Sequence, residues 1–131
     1  MFVPSTTTGA RLRLRYRASG SDNTTSNYAW TDGFNVNGSV NNGSSSNSDS
    51  SARLYFIGSS MPGALSLDIF SPNASLNTSA IFHGIYRQPE PLITYVFGGN
   101  IFLATTSFDG FTLYPESSTM SGTVRVYGYK D

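Results

Sequence analysis

The stretch Arg11-Leu12-Arg13-Leu14-Arg15-Tyr16-Arg17 decides how this sequence folds. It alternates strictly between apolar and basic residues, and successive side chains of a β-strand point to opposite faces of a sheet. As a strand it places Leu12, Leu14 and Tyr16 on one face and four arginines on the other, whereas a helix would scatter both sets around its circumference. The stretch therefore predicts a half-buried strand with a basic outer stripe.

The same alternation recurs in residues 65–69 and in residues 123–129, which would end the chain as a strand. Shorter apolar runs add predicted strands at 54–57, 80–82, 93–97, 101–103 and 111–114. Short strands at this spacing, separated by turn residues, are typical of a β-sandwich or barrel. No stretch of ten residues carries a helical apolar period, so we expect an all-β fold with very little helix.

Glycine, proline and asparagine mark the predicted turns. Gly98-Gly99-Asn100, between two aromatic-rich runs, predicts a tight hairpin. Pro62-Gly63, Pro72-Asn73 and Pro89-Glu90-Pro91 predict loops, because proline cannot donate to a β-ladder. Asp109-Gly110 is compatible either with a hairpin turn or with a glycine kink within one long strand.

Residues 35–51 form a low-complexity tract of Asn, Gly and Ser in which Val36 and Val40 are the only sizeable apolar residues. Such a tract gains too little from burial to offset its ordering entropy, so it is predicted to be a long exposed loop or a strand edge with a flexible excursion. We therefore expect an N-terminal arm at residues 1–10, followed by a single β-sandwich domain at residues 11–131 that carries this loop.

Composition excludes several classes of protein. Ser, Thr, Gly and Asn account for 57 of the 131 residues, charged residues for only 12%, and the net charge is zero. A neutral chain lacks the basic surface with which nucleic-acid binders displace counterions, and no apolar run approaches the roughly 20 residues of a membrane span. Cysteine is absent, which excludes disulfides and thiolate metal sites, while 14% aromatic residues supply a core and argue against disorder.

Small size adds one further expectation. A domain of this length without disulfides or a metal has limited stability on its own, so self-association is an expected source of additional stability. The N-terminal sequence shows no secretory signal, and we therefore expect synthesis in a cytoplasm.

Residues for catalysis or cofactor binding are sparse. His83 is the only histidine, too few for a histidine-based metal site, and we interpret it as a structural or surface residue. The eight acidic residues are scattered, and no pair is spaced like the two carboxylates that a glycan depolymerase would place beside a scissile bond. We therefore expect no catalytic residues, no cofactor and no metal, in a protein that is not an enzyme.

The arginine stripe, formed by Arg11, Arg13, Arg15 and Arg17, is one candidate binding site, because it holds half of the basic residues on one face of one strand. It is either a solvated face beside polar neighbours or a subunit or partner interface, for which arginine forks are well suited. A row of arginines would also discourage unwanted edge-to-edge strand pairing.

A second candidate site comprises Asn27, Tyr28 and Trp30, with Tyr86 as a further aromatic residue. We expect these residues in exposed loops, where an amphipathic ring presents an apolar face that can stack on a sugar. A ligand-facing loop of this kind would make the chain a carbohydrate-binding module or lectin.

The C-terminal third carries a family resemblance. Phe108-Asp109-Gly110-Phe111-Thr112-Leu113-Tyr114-Pro115 and then Thr119-Met120-Ser121-Gly122-Thr123-Val124-Arg125-Val126-Tyr127-Gly128-Tyr129 resemble the closing segment of a family of tailed-bacteriophage virion proteins. In that family an alternating strand that ends in an aromatic residue and proline leads to a turn of small residues, and a last strand ends near a Tyr-Gly pair. Residues 12–16, followed by Ser-rich loops and Asn27-Tyr28, are similar to the family's start. The middle of the domain matches by strand rhythm only.

The resemblance implies an antiparallel β-sandwich of jelly-roll type, located in a phage virion after synthesis in the cytoplasm of a bacterial host. It implies a homo-oligomer, for which we expect a trimer, that contacts the major capsid protein or a tail component and has no catalytic residues. A tail-fibre protein needs an attachment segment and a shaft, and only residues 1–10 precede the first predicted strand. If the chain is the whole gene product, we therefore expect a capsid decoration or cement protein. The alternatives are a receptor-binding tip domain of a tail fibre or tailspike and a carbohydrate-binding module.

Overall fold

The computed structural model describes residues 5–6, 10–57, 63–87 and 92–128, which form antiparallel β-strands joined by turns and loops. In chain order the strands are β1 (Ser5–Thr6), β2 (Ala10–Ala18), β3 (Ser21–Asp22), β4 (Tyr28–Val36), β5 (Ser39–Asp49), β6 (Ala52–Ile57), β7 (Gly63–Phe70), β8 (Ser79–Arg87), β9 (Ile93–Phe102), β10 (Gly110–Pro115) and β11 (Met120–Ser121). The described residues contain no helix, and thus none that could cross a membrane. The prediction of an all-β fold is confirmed.

The larger sheet has five strands in the order β5-β4-β9-β8-β7, and all neighbours are antiparallel. Three consecutive strands, β7, β8 and β9, lie side by side, and β4 returns to the free side of β9. This is the order of a Greek key, in which the long connection from β4 to β7 runs through β5 and β6.

The smaller sheet is built on β2, which pairs with β10 along one edge and with β6 and β3 along the other. A separate two-residue ladder joins β1 to β11. The two main sheets pack against each other as a β-sandwich, in which β6 of the smaller sheet packs mainly against β4 and β9 of the larger one.

Aromatic rings from both sheets fill the interior. Tyr16 of β2 stacks on Tyr28 of β4 with ring centroids 5.8 Å apart, and Phe102 of β9 meets Tyr28 edge-on at 5.0 Å. Both arrangements suit the charge distribution of aromatic rings. Leu12 and Leu14 are fully buried beside them, so the alternation predicted for β2 is confirmed.

Gly98, Gly99 and Asn100 lie in the middle of β9, so the predicted hairpin is wrong. A Cβ atom on Gly98 would lie 2.3 Å from the carbonyl oxygen of Thr31 and 2.5 Å from the ring of Phe82. Glycine at this position lets a neighbouring strand and a core ring approach the β9 backbone closely. A glycine that marks a turn and a glycine that permits close packing look alike in the sequence.

Most of the low-complexity tract is a strand, so the prediction of a loop at residues 35–51 is wrong for residues 39–49. The alternative interpretation as a strand edge describes them better, because β5 pairs with β4 along its length, with two register shifts, and forms one edge of the larger sheet. A ladder is held by backbone hydrogen bonds that do not require buried side chains. The carboxylate of Asp32 adds a further bond by accepting the Ser44 amide at 2.8 Å.

The predicted final strand is not formed in the described part of the chain. β11 ends at Ser121, and residues 122–128 have no regular secondary structure. Val124 and Val126 expose 48% and 69% of their surfaces. Strand propensity reflects packing on a half-buried sheet surface, and within the described residues this segment joins no sheet. Tyr129, which closed the predicted strand, lies outside the described residues.

The other predicted turns have mixed outcomes. Residues 71–78 connect β7 to β8 and confirm the loop predicted at Pro72-Asn73. Gly110 opens β10 opposite Arg17, so it is neither a hairpin turn nor a kink within a strand. Pro62 and residues 89–91 lie outside the described residues, as do most residues of the predicted N-terminal arm.

Candidate functional site

The outer side of the larger sheet presents a contiguous set of apolar side chains. Along β8 and β9 alternate residues face the core, among them Phe82 and Val96, and the residues between them face outward. Six outward side chains each expose between 40% and 57% of their surface, and together we call them the apolar face: Ile81, Ile85, Ile93, Tyr95, Phe97 and Ile101. Each exposes on the order of 100 Å², so the face presents about 600 Å².

Strand register makes this face continuous. β8 and β9 are neighbours, with Ile85 directly opposite Tyr95 and His83 directly opposite Phe97. The rings of Tyr95 and Phe97 stack with centroids 5.9 Å apart. Phe97 also covers Gly33 of β4, where a Cβ atom would lie 2.8 Å from the ring. The Phe97 ring therefore reaches over Gly33 and extends the apolar surface toward β4.

Polar residues border the apolar face on both sides. On β4 the outward positions opposite β9 include Thr31 and Asn35. On β7 the outward positions opposite β8 include Ser66 and Asp68, although the last residue of β7, Phe70, is 48% exposed. Arg87 ends β8 beside Ile93. An apolar centre surrounded by a polar rim is the usual anatomy of a protein interface.

The sequence analysis missed the apolar face, although a signal was present. Residues 93–97 are apolar or aromatic at four of five positions, without a polar alternation, and this pattern is typical of strands covered on both faces. We predicted a strand from this run and assigned no exposed face to it. The sandwich covers only one side of it, because the smaller sheet packs on the inner face alone.

The arginine stripe predicted from the sequence is engaged in contacts within the chain. Arg13 donates hydrogen bonds to Asp49 at 3.1 Å and to Glu116 at 2.6 Å, and only 14% of its side chain is exposed. Burial alone would lower the pKa of Arg13, but Glu116 and then Asp49 outweigh burial and hold the pKa above its ordinary value. Arg13 thus ties the end of β5 and the segment after β10 to β2.

Two further members of the arginine stripe have partners on neighbouring elements. Arg15 donates from Nε to the carbonyl oxygen of Ser50 at 3.1 Å, and its guanidinium lies 4.9 Å from the ring centroid of Tyr114. Arg17 lies 3.7 Å from the carboxylate of Asp22 in an exposed ion pair. The arginine stripe thus lies beside polar and aromatic residues of neighbouring elements, and its role as a subunit or partner interface stays a prediction.

Arg11, the remaining member, lines a cavity of about 170 Å³ together with Asp32, Phe34, Arg53 and Tyr86. Burial, followed by the charge of Arg53, lowers the pKa of Arg11 below its ordinary value. The cavity is smaller than the roughly 300 Å³ at which ligand pockets usually begin. A wider depression of about 330 Å³ lies over the β4–β5 hairpin.

Tyr28 and Trp30 do not form a ligand-facing loop, and this part of the site prediction is wrong. Both lie on β4 and point inward, with Tyr28 fully buried and Trp30 only 8% exposed. The Tyr28 hydroxyl accepts the Tyr16 amide at 2.9 Å and donates to the Asn23 carbonyl oxygen at 3.0 Å. Burial raises the pKa of Tyr28 to about 12. The strand alternation of β4 turns these rings into the core.

Of the remaining residues considered in the sequence analysis, Tyr86 is buried, whereas the ligand-facing role of Asn27 stays a prediction. Asn27 is half-buried and donates from its amide to the Thr25 hydroxyl at 3.0 Å. Tyr86 lies on β8 with 8% of its surface exposed. His83 is the exposed residue at the centre of the apolar face. Among the described residues, no three His, Asp or Glu side chains are grouped to hold a metal ion.

No family model matches this sequence, and comparisons with curated proteins and with solved structures find no match.

Proposed function

We propose that this chain is a non-enzymatic structural protein of a tailed-bacteriophage virion that assembles as a homotrimer and binds the outer capsid surface as a decoration or cement protein. The apolar face is the observation that carries the assembly role, because about 600 Å² of contiguous apolar surface is at the upper end for a typical monomer and marks an interaction site. The phage assignment rests on the resemblance of residues 108–129 and 12–16 to virion proteins.

The carboxylates support a structural role. Asp32, Asp49, Glu116 and Asp22 are held in ion pairs with arginines, where they join strands of the sandwich. A glycosidase needs two carboxylates that face each other across a groove, one of them protonated near neutral pH. For Asp49 the arrangement has the opposite effect: burial alone would raise its pKa, but hydrogen bonds from Trp30 and Ser50 and the charge of Arg13 hold the pKa below its ordinary value.

As part of this proposal we place the sandwich among the jelly rolls. β2, the first long strand, pairs with β10, the last one, and β4 pairs with β9. This nested pairing of early with late strands resembles the double Greek key of a jelly roll. The nesting extends over two levels only, since β8 pairs with β7 and β9 rather than with β5.

Cosedimentation tests the virion role directly. The purified chain is mixed with capsids that lack it, with capsids that already carry it, and with host cells. We expect saturable binding to the first sample and none to the second, because occupied sites are blocked. Binding to host cells without binding to capsids would instead favour the receptor-binding tip of a tail fibre or tailspike. Binding to neither would contradict a role on the virion surface.

A further inference from the structure

We propose that the apolar face, and not the arginine stripe, is the surface through which copies of this chain associate. This assignment depends on the self-association that forms part of the proposed function, and it is independent of the capsid role. The occupant of the face is another copy of this chain: in the proposed trimer the three faces turn toward a common three-fold axis, and each face contacts the two neighbouring copies.

The size of the face is sufficient for a stable contact. A specific interface of standard size buries about 800 Å² on each partner, and a smaller interface of about 600 Å² still belongs to the range of specific contacts. In the trimer the apolar face supplies about this area against the two neighbours together, and Thr31, Asn35 and Ser66 on the adjoining strands add polar rim area. Three or more strands of the larger sheet would therefore contribute to the contact.

The side chains of the face are suited to burial. Ile81 and Ile101 lose little rotamer entropy when they are ordered, and the stacked rings of Tyr95 and Phe97 are already held in place by each other and by Gly33. Preorganised side chains leave more of the apolar burial as net binding free energy. An arginine side chain, by contrast, has to be desolvated and ordered before it contributes.

Charge favours a second copy as the occupant. The chain has no net charge, so copies do not repel one another at long range. At the rim the face carries one acid, Asp68, and one base, Arg87, near opposite ends of β8, and the exposed His83 lies at its centre. A strongly acidic or basic partner would therefore find no cluster of complementary charge on this surface. In the arginine stripe, Arg13 is already engaged by two carboxylates of its own chain and would have to give them up to bind a partner.

The test compares two substitutions on the face with a matched substitution elsewhere. Ile81→Ser and Ile101→Ser remove side chains that are 55% and 47% exposed, so the fold of one copy should persist. Val126→Ser removes an equally apolar side chain that is 69% exposed but lies off the sheet. The oligomer mass of each purified chain is measured by sedimentation velocity over a dilution series, and circular dichroism reports the fold.

We expect the wild type and Val126→Ser to form the same closed oligomer at micromolar concentration. Each face substitution should raise the dissociation constant of the oligomer by about tenfold or more, because the variant buries on the order of 100 Å² less apolar surface in the contact. If Ile81→Ser fails to fold, Ile81→Thr replaces it, because threonine keeps the β-branched shape that suits a strand and still introduces a polar group.

A monomeric wild type would overturn this inference, as would an oligomer that survives both face substitutions or that Val126→Ser weakens equally. Dissociation by Arg17→Ser, with the face variants intact, would assign the interface to the arginine stripe instead. Capsid cosedimentation separates the two proposals: a monomer that binds capsids contradicts the interface alone, whereas an oligomer that binds no capsid contradicts the decoration role alone.

Discussion

Arg53 on β6 donates two hydrogen bonds to the carboxylate of Asp32 on β4, from Nε at 2.6 Å and from Nη2 at 2.9 Å. Only 11% and 12% of the two side chains are exposed. The guanidinium also lies 4.3 Å from the ring centroid of Trp30. One side chain thus joins the smaller sheet to the larger one through a planar, two-pronged contact that lysine cannot reproduce.

Replacing Arg53 with methionine should therefore destabilise the fold by about 3 kcal/mol, because it leaves the Asp32 carboxylate largely buried without its counter-charge. Urea unfolding monitored by circular dichroism measures the change. Arg17→Met is the matched control: the Arg17–Asp22 pair is exposed and 3.7 Å long, and we expect a loss below about 1 kcal/mol. Equal losses in the two variants would contradict the structural role of the Arg53–Asp32 contact.

Tyr28→Phe should cost about 1–3 kcal/mol, because the Tyr16 amide then has no acceptor in a buried setting while the stacked ring remains. Tyr127→Phe removes the same hydroxyl at a side chain that is 76% exposed, and its effect should be within about 0.5 kcal/mol. Urea unfolding at neutral pH distinguishes them. A neutral result for Tyr28→Phe would mean that the hydroxyl does not hold the Tyr16 amide.

Alkaline pH should destabilise the wild type in a defined window. The Tyr28 pKa is about 12 in the folded chain, against an ordinary value of 10, so the folded state retains its proton more strongly than the unfolded state. The resulting stability is fully present below pH 10 and is lost as the pH rises toward about 12. Urea midpoints measured across this interval should fall less steeply in Tyr28→Phe than in the wild type. Parallel slopes would show that Tyr28 does not contribute to the loss.

Gly98→Ala should destabilise the sandwich by about 1–3 kcal/mol, since the added methyl group meets a backbone oxygen of β4 and a core ring at distances below van der Waals contact. Gly128→Ala is the control, because no atom lies within 4 Å of the added Cβ position there. Thermal melts of both variants measure the difference. A Gly98→Ala chain as stable as the control would indicate that β4 and β9 can separate without cost.

Acid should remove part of the stability that Asp49 provides. The pKa of Asp49 lies below its ordinary value of 3.8, because hydrogen bonds from Trp30 and Ser50 and the charge of Arg13 outweigh the effect of burial. This contribution is present above pH 3.8 and is lost as the pH falls through the lower pKa of the folded chain. Asp49→Asn should therefore lose less stability than the wild type over that range. Asp109→Asn, at an exposed position, should behave like the wild type in the same urea titration.

Local alternation was enough to predict β2 and β7, a short apolar run marked the start of β8, and the alternation of β2 placed Leu12, Leu14 and Tyr16 in the core. It failed where the determining contact is distant in the sequence. Gly98 was predicted to lie in a turn. The contacts that require a glycine there involve Thr31 and Phe82 of other strands, and these contacts are not visible in the sequence. The Asn/Gly/Ser tract was interpreted as a loop because a backbone ladder with β4 leaves no trace in side-chain hydrophobicity.

The candidate site followed the same division. Arg13 could be located on an outer face from the sequence, but its bonds to Asp49 and Glu116 span 36 and 103 residues of chain. Tyr28 and Trp30 were expected in an exposed loop, but they lie on β4, whose strand alternation points both rings inward.

The sequence by itself determined the strand class of this chain, the inward phase of β2 and the absence of cysteine chemistry, because these depend on residue type and on a period of two. Only the tertiary structure decided which apolar residues stay exposed. A strand such as β9 has apolar side chains on both faces, and the pattern cannot show that one sheet covers one side and leaves Tyr95 and Phe97 on the other. That outcome depends on which strands meet, and the hydrogen-bond register between distant segments determines it.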